Sequence, residues 1–251
     1  MKKQLTQLIP SLLSLLVLLS LWESVSHFSD WNSHVFPGPL QVIKSMKDLI
    51  VNGTLLKHIV ASLYRVTFGF YLAILAGIPL GILLGVWKKG RTFINPVIHF
   101  LRPISPLAWI PLSMLWFGIG DKPAVFLIFL SSFFSLTVAT TIAVSTINPV
   151  YFQVAANFNF SRREIITRIV LPAITPDIIT ALRMTVTIAW IVVVAAEMIA
   201  VQSGLGYLIL DARNALRMDY VMDGMIVIGF IGIILDLLMK RMAAFAPSGR
   251  R

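Results

Sequence analysis

The sequence predicts an all-α, polytopic membrane protein of about six transmembrane helices with one structured loop on its cytoplasmic side. Three observations predict this. Hydrophobic residues make up 57% of the 251-residue chain and charged residues only 13%, against about 25% charged in soluble domains. The mean hydropathy is +0.86, and apolar runs of roughly 17–25 residues, the length that crosses a bilayer, recur from end to end. The charges sit beside or between these runs: Lys2, Lys3, Lys88, Lys89, Arg91, Arg162, Arg163, Arg168, Lys240, Arg241, Arg250 and Arg251. A formal net charge of +10 and a pI of about 10.2 would otherwise invite a nucleic-acid reading. Flanking placement follows the positive-inside rule instead.

The first span runs from Leu8 to Val25. Lys2-Lys3, an apolar run and Ser24-Val25-Ser26 also resemble a secretory signal with its cleavage site, but a retained span is expected, since everything downstream is membrane-embedded. The turn "FPGP" (Phe36–Pro39) leads to amphipathic pieces, the first with Val42, Met46, Leu49 and Ile50 on one face. The second span covers Tyr64 to Val86 and ends in "WKKGR"; the third runs from Phe93 to Phe117 and the fourth from Ala124 to Ile147. The fifth runs from Pro176 to Val201 and the sixth from Val221 to Met239. One membrane domain over residues 1–251, with core spans in 64–239, accounts for the chain; no internal repeat or soluble domain is visible.

Six spans leave both termini on one side. The basic connectors after the second and fourth spans lie there too, which makes that side cytoplasmic. Lys44, Lys47 and Lys57 reduce the asymmetry without reversing it. Zero cysteine excludes disulfides and thiolate metal sites.

The second span carries Gly69, Ala73, Gly77, Gly81 and Gly85 at four-residue spacing. Such a stripe allows close helix approach, inside one chain or between subunits; Pro79 bends the same span. In the third span, "FLRPISPLAWIP", Pro103 and Pro106 cannot donate to the carbonyls of His99 and Arg102. Freed backbone groups at membrane depth need protein or a watery cavity beside them. This span should therefore be broken and face the protein interior.

Residues 149–172 read as helix, sharp turn, helix. Tyr151, Val154, Ala155 and Phe158 share one face of a short helix after Pro149. Asn159 suits a left-handed turn. Ser161 and Glu164 form a capping box, with Phe160 and Ile165 at the staple positions, and Pro172 ends the second helix. Helices of about two turns do not persist alone in water. They must dock, and the pattern fits either a membrane surface or a partner protein.

The register "Q-V-A-A…N…I-V-L-P" resembles the EAA loop of the permease subunits of binding-protein-dependent ABC importers. Aligned on Leu171-Pro172, the motif's Glu is Gln153, its first Ala is Val154, its second is Ala155 and its Gly is Asn159. The segments "FPGP", "SLYRVTFGF", "GIPLGILLG", "LRPISPLAWIPLSMLWFGIG" and "VVVAAEMIAVQSGLGYLILDARN" look like the nitrate/sulfonate/taurine/bicarbonate branch of these permeases. The resemblance implies a homodimeric channel subunit of the bacterial cytoplasmic membrane that imports a small anion. It also implies an extracytoplasmic solute-binding protein and a separate ATPase, which binds the ATP and magnesium, so that this chain carries no cofactor. Gln153, Ala155, Phe158, Asn159, Phe160, Ser161, Arg162, Arg163, Glu164, Leu171 and Pro172 would then form the coupling loop seated in the ATPase. Gln153 lacks the charge of the usual Glu, whereas Asn159 can still make the turn.

No G-x-x-x-x-G-K-[ST] phosphate loop and no H-E-x-x-H zinc helix occur. "GIGD" (Gly118–Asp121) resembles the motif of intramembrane aspartyl proteases, the alternative reading. That chemistry needs two carboxylates sharing a proton, and no Tyr-Asp partner precedes Asp121. Candidates for a translocation path are Arg102, Ser105, Trp109 and Glu197. With a helix starting at Ile94, Arg102 lies about 12 Å into the third span. It either adds positive potential to an anion path, snorkels to the interface, or bonds carbonyls freed by the prolines. Glu197, one turn from the outer end of the fifth span, suits internal hydrogen bonding or gating better than contact with an anion. Asp236 and Lys240 form an intrahelical pair; Trp116 and Trp190 are packing or interface residues.

Overall fold

Apolar residues cover whole circumferences of the long helices, so close helix–helix contact sets the architecture. The computed structural model describes residues 2–28 and 35–245, and every regular element among them is helical. Of the flanking charges, Arg250, Arg251 and the side chains of Lys2 and Lys3 lie outside the described residues.

Helix α1 (Lys2–Phe28) is tied to the Phe36–Pro39 turn, where Trp22 Nε1 donates to the Pro37 carbonyl at 3.1 Å. Pro39 at the first position opens α2 (Pro39–Val51), which buries Val42, Ser45 and Leu49. Ile50 does not join them and is 60% exposed. At 3.6 residues per turn it falls about 80° from Val42, at the edge of the buried face. After Gly53, at φ +69°, the chain runs without interruption through α3 (Thr54–Val86). The second span thus starts at Thr54 rather than Tyr64, with the amphipathic piece fused onto it.

The third span departs more. Helix α4 (Lys88–Leu101) begins directly after Trp87, so the basic connector is itself helical and the element starts at Lys88, not Phe93. It stops at Leu101, ahead of Pro103, and a 3-10 turn (Pro106–Trp109) leads into α5 (Ile110–Phe117). The break is where the prolines place it, but within a single protomer much of the span lies on the outer surface. Phe93, Phe100 and Leu115 are 82%, 74% and 80% exposed, because α3, α6 (Asp121–Ser145) and α9 (Leu171–Ala200) already fill the centre by packing on one another.

The small-residue stripe of α3 faces α6 of the same chain. A Cβ at Gly69 would lie 2.9 Å from Ile128 Cβ, and one at Gly81 would lie 2.6 Å from Thr140 Cβ and 2.8 Å from the Thr137 carbonyl. The stripe is therefore intramolecular packing, with the two backbones in near contact. On the far side of α9, α11 (Met218–Phe245) packs through Trp190, whose Nε1 donates to the Ile228 carbonyl at 3.0 Å. Arg183 of α9 bonds Asp236 at 2.7 Å, so the Asp236–Lys240 pair is one half of an interhelical bridge. Short helices α7 (Pro149–Asn157), α8 (Arg162–Glu164) and α10 (Leu205–Asn214) complete the chain.

Among the described residues, four helical stretches are long and apolar enough to span a bilayer: Thr54–Val86, Asp121–Ser145, Arg162–Ala200 and Met218–Met242. The other two expected spans appear as shorter apolar stretches, Leu16–Phe28 and Pro106–Phe117.

Candidate functional site: an ion cluster at one end, an elbow at the other

At the end of the bundle where α3 and α6 begin and α9 finishes, Arg65 is buried to 2% exposure. Its Nη1 donates to Glu197 Oε1 at 2.6 Å and to the Ser203 carbonyl at 2.8 Å, its Nε to Asp121 Oδ1 at 2.8 Å, and its Nη2 to Ser203 Oγ. Glu197 is wholly buried, and its other oxygen accepts from Ser62 Oγ at 2.8 Å and from the Gly206 amide at 3.0 Å. Ser62 Oγ in turn accepts from the Leu205 amide, and His58 Nδ1 from the Gly204 amide. A buried charge pair is tolerated only with such complete hydrogen bonding.

The glycines of "SGLG" are structural requirements of this cluster. Gly204 sits at φ +102°, and a Cβ there would collide with the Glu197 carboxylate. A Cβ at Gly206 would lie 2.8 Å from Glu197 Cβ and would also strike the Val194 carbonyl. The chain between α9 and α10 is thus pinned to α3 and α6 through one guanidinium. Sequence reasoning missed Arg65 and Asp121 as members. The signal was an arginine inside an apolar run, with two carboxylates at the ends of later spans.

At the opposite end, Asn148 Oδ1 caps α7 by accepting from the Val150 amide. Helix α7 then closes in a Schellman turn: Phe160 N–H reaches the Ala155 carbonyl at 2.9 Å and Asn159 N–H the Ala156 carbonyl, with Asn159 at φ +52°. Ser161 Oγ accepts from the Glu164 amide while the Glu164 carboxylate accepts from the Ser161 amide, the reciprocal capping box. Arg168 lies 3.5 Å from Glu164 and over the Phe160 ring. Within α7 only Ala155 is buried; Gln153, Arg162 and Arg163 are exposed, and Tyr151, Val154 and Phe158 are 59%, 46% and 72% exposed.

Pro172 does not end the second helix, contrary to expectation, and Pro176 lies inside α9 rather than starting the span. Residues Ile165–Val170 form a π-helical run in which Leu171 N–H reaches back to the Ile166 carbonyl. Widening the pairing by one residue makes room for a proline ring that would clash with an ordinary α-helical turn. Helix therefore continues from Arg162 through exposed Leu171 and Pro172 to Ala200.

Of the four path candidates, Glu197 is enclosed within the ion cluster and lines no open surface. Ser105 is exposed and caps the 3-10 turn, its Oγ accepting from the Leu107 amide. Trp109 is half-buried with an unpartnered indole N–H. Arg102 is exposed at the break after α4. Asp121 is engaged by Arg65, which also holds Glu197, so the two carboxylates share a guanidinium rather than the proton an aspartyl protease requires.

The family of binding-protein-dependent transport system inner membrane components matches residues 77–248. The chain belongs to this family. It is a permease subunit of an ABC importer, a multi-pass membrane component and not an enzyme. The permease is 40% identical over 196 residues to a putative ABC transporter permease protein of Methanocaldococcus jannaschii, covering 78% of this chain and 73% of that one. It is 33% identical to the taurine transport system permease protein TauC of Escherichia coli, over 89% and 83% of the two chains. It is 32% identical to the nitrate import permease protein NrtB of Leptolyngbya laminosa, over 96% and 88%. In fold, the permease is similar to a chain of the inward-facing MetNI methionine ABC transporter, at a TM-score of 0.68 and 15% identity, over 77% and 96%.

Proposed function

We propose that this permease imports a small anion of the taurine/sulfonate, nitrate or bicarbonate class, as one half of a homodimeric channel. The exposed elbow at 149–170 is the observation that carries the mechanism. The short helix α7 and the capped first turn of the long Arg162–Ala200 helix meet at a corner that presents Tyr151, Val154, Phe158, Arg162 and Arg163 outward, a surface suited to seating in a separate ATPase subunit. ATP and magnesium belong to that subunit, and this chain binds no cofactor. The bilayer surrounds the spans, a solute-binding protein delivers the anion at the Arg65 end, and both termini lie in the cytoplasm. The relatives named for taurine transport and nitrate import support an anionic cargo.

Closure of the ATPase would move the elbows of both copies and swing a central cavity between outward and inward access. The test is uptake by the complex with its ATPase and binding protein, using nitrate, taurine, alkanesulfonates and bicarbonate, joined to single-cysteine labelling. Cysteines at Gly90 and Ser161 should react from the cytoplasm, and those at Asn52 and Asn214 from outside. Labelling of position 161 from outside would overturn the scheme.

A further inference from the structure

Arg102 lies in the gap between α4 and the 3-10 turn, beside a cavity of about 160 Å³ lined also by Leu130, Ser131, Phe134, Ser135 and Ile188. Depth is counted from the ion cluster, taken as the outer edge of the hydrocarbon core. Asp121 and Glu197 meet at one end of the bundle. Ser131 and Ser135 then sit about 15–21 Å along α6 from that end, and Ile188 about 18 Å along α9 from Ala200. With a hydrocarbon core about 30 Å thick, the cavity is near the bilayer midplane.

The guanidinium there is exposed and makes no hydrogen bond or ion pair with any described residue. No lining residue is acidic. Neither bonding to proline-freed carbonyls nor a counter-ion accounts for it, and an unpaired charge at this depth is costly against lipid. Such a side chain belongs on a watery path. Ser131 and Ser135 donate to carbonyls one turn back, at 2.9 and 3.0 Å, and a χ1 rotation would turn either hydroxyl toward the cavity. An arginine fork recognises planar or tripodal oxyanions in bidentate fashion.

We propose that Arg102, with Ser131 and Ser135, forms a midplane binding site for an oxyanion cargo, a sulfonate or nitrate group; this rests on the anion-import reading above. The cavity suits a head group of a few atoms, and lipid phosphates lie too far from this depth to fill it. Two measurements test the site in the assembled transport complex. Since the chain has no cysteine, Arg102→Cys supplies the one thiol of this subunit. It should react with a membrane-impermeant reagent, as a position on a watery path does. Arg102→Gln should raise the half-saturating concentration of the transported anion roughly tenfold or more with copurification of the ATPase intact, and Arg102→Lys should recover part of the loss. Parent-like kinetics in Arg102→Gln, or a cysteine inert to the reagent, would overturn the site. A parent complex that transports none of the anions overturns the import reading and this site with it.

Discussion

Replacing Asn159 by valine together with Ser161 by alanine attacks the elbow at both its turn and its cap. Asn159 holds φ +52°, where a β-branched residue is a strong outlier, with strain on the order of 1–3 kcal/mol. Removing Ser161 Oγ takes away the acceptor for the Glu164 amide at 3.3 Å, a cap worth about 1 kcal/mol. The two sites are neighbours and their effects need not add. A joint cost of about 2–3 kcal/mol still lowers the ratio of native to non-native elbow roughly 25- to 150-fold. The core contacts of α3, α6 and α9 involve neither residue, so the spans should insert and fold. The double variant should therefore appear in the membrane at parental yield but lose ATPase copurification or substrate-stimulated hydrolysis. Asn159→Gly should behave as the parent, because glycine adopts this conformation freely. A double variant that retains its ATPase and transports normally would refute the coupling role and leave the elbow an interfacial loop.

Glu197→Ala leaves Arg65 buried without its main partner and should destabilise the detergent-solubilised protein by about 3 kcal/mol. Asp121 and Ser203 hold the guanidinium in part, and Glu197→Gln should cost less; thermal unfolding of both variants checks the order. Gly81→Leu inserts a side chain where Thr140 Cβ lies only 2.6 Å from an ideal Cβ. Separating α3 from α6 should cost about 1–3 kcal/mol, read as reduced thermal stability, whereas Gly229→Leu, with open space around its Cβ, should be mild.

Local grammar was legible in the chain. The turn at Asn159, the cap at Ser161 and the break before Pro103 each follow from two or three adjacent residues, so no knowledge of the rest of the fold was needed. The glycine stripe of α3 announced a close approach but not its partner, since the motif reports only distance. Arg65 was hidden for a similar reason. Its partners lie 56, 132 and 138 positions away, and nothing in its own window distinguishes a buried ligand of carboxylates from an interfacial basic residue. Pro172 misled because proline ordinarily stops a helix; the π run upstream gives the chain another option that no short pattern declares. The third span's exposure was also misjudged. Irregular backbone demands a polar environment, but that demand can be met on the outer wall of one protomer as well as inside it.

The helix from Arg162 to Ala200 gives the permease a mechanical property. At 1.5 Å per residue it is a strut of about 58 Å, with the elbow fixed to one tip and Glu197 three residues from the other. A rod of this kind does not absorb an axial push at one tip. If the proposed coupling holds, a stroke at residues 149–164 would emerge as a flexure at the π run Ile165–Val170 or at Pro176, or as a tug on Arg65 and the Ser203–Gly206 chain at the far tip. The relative compliance of those places would decide how far such a displacement travels across the membrane.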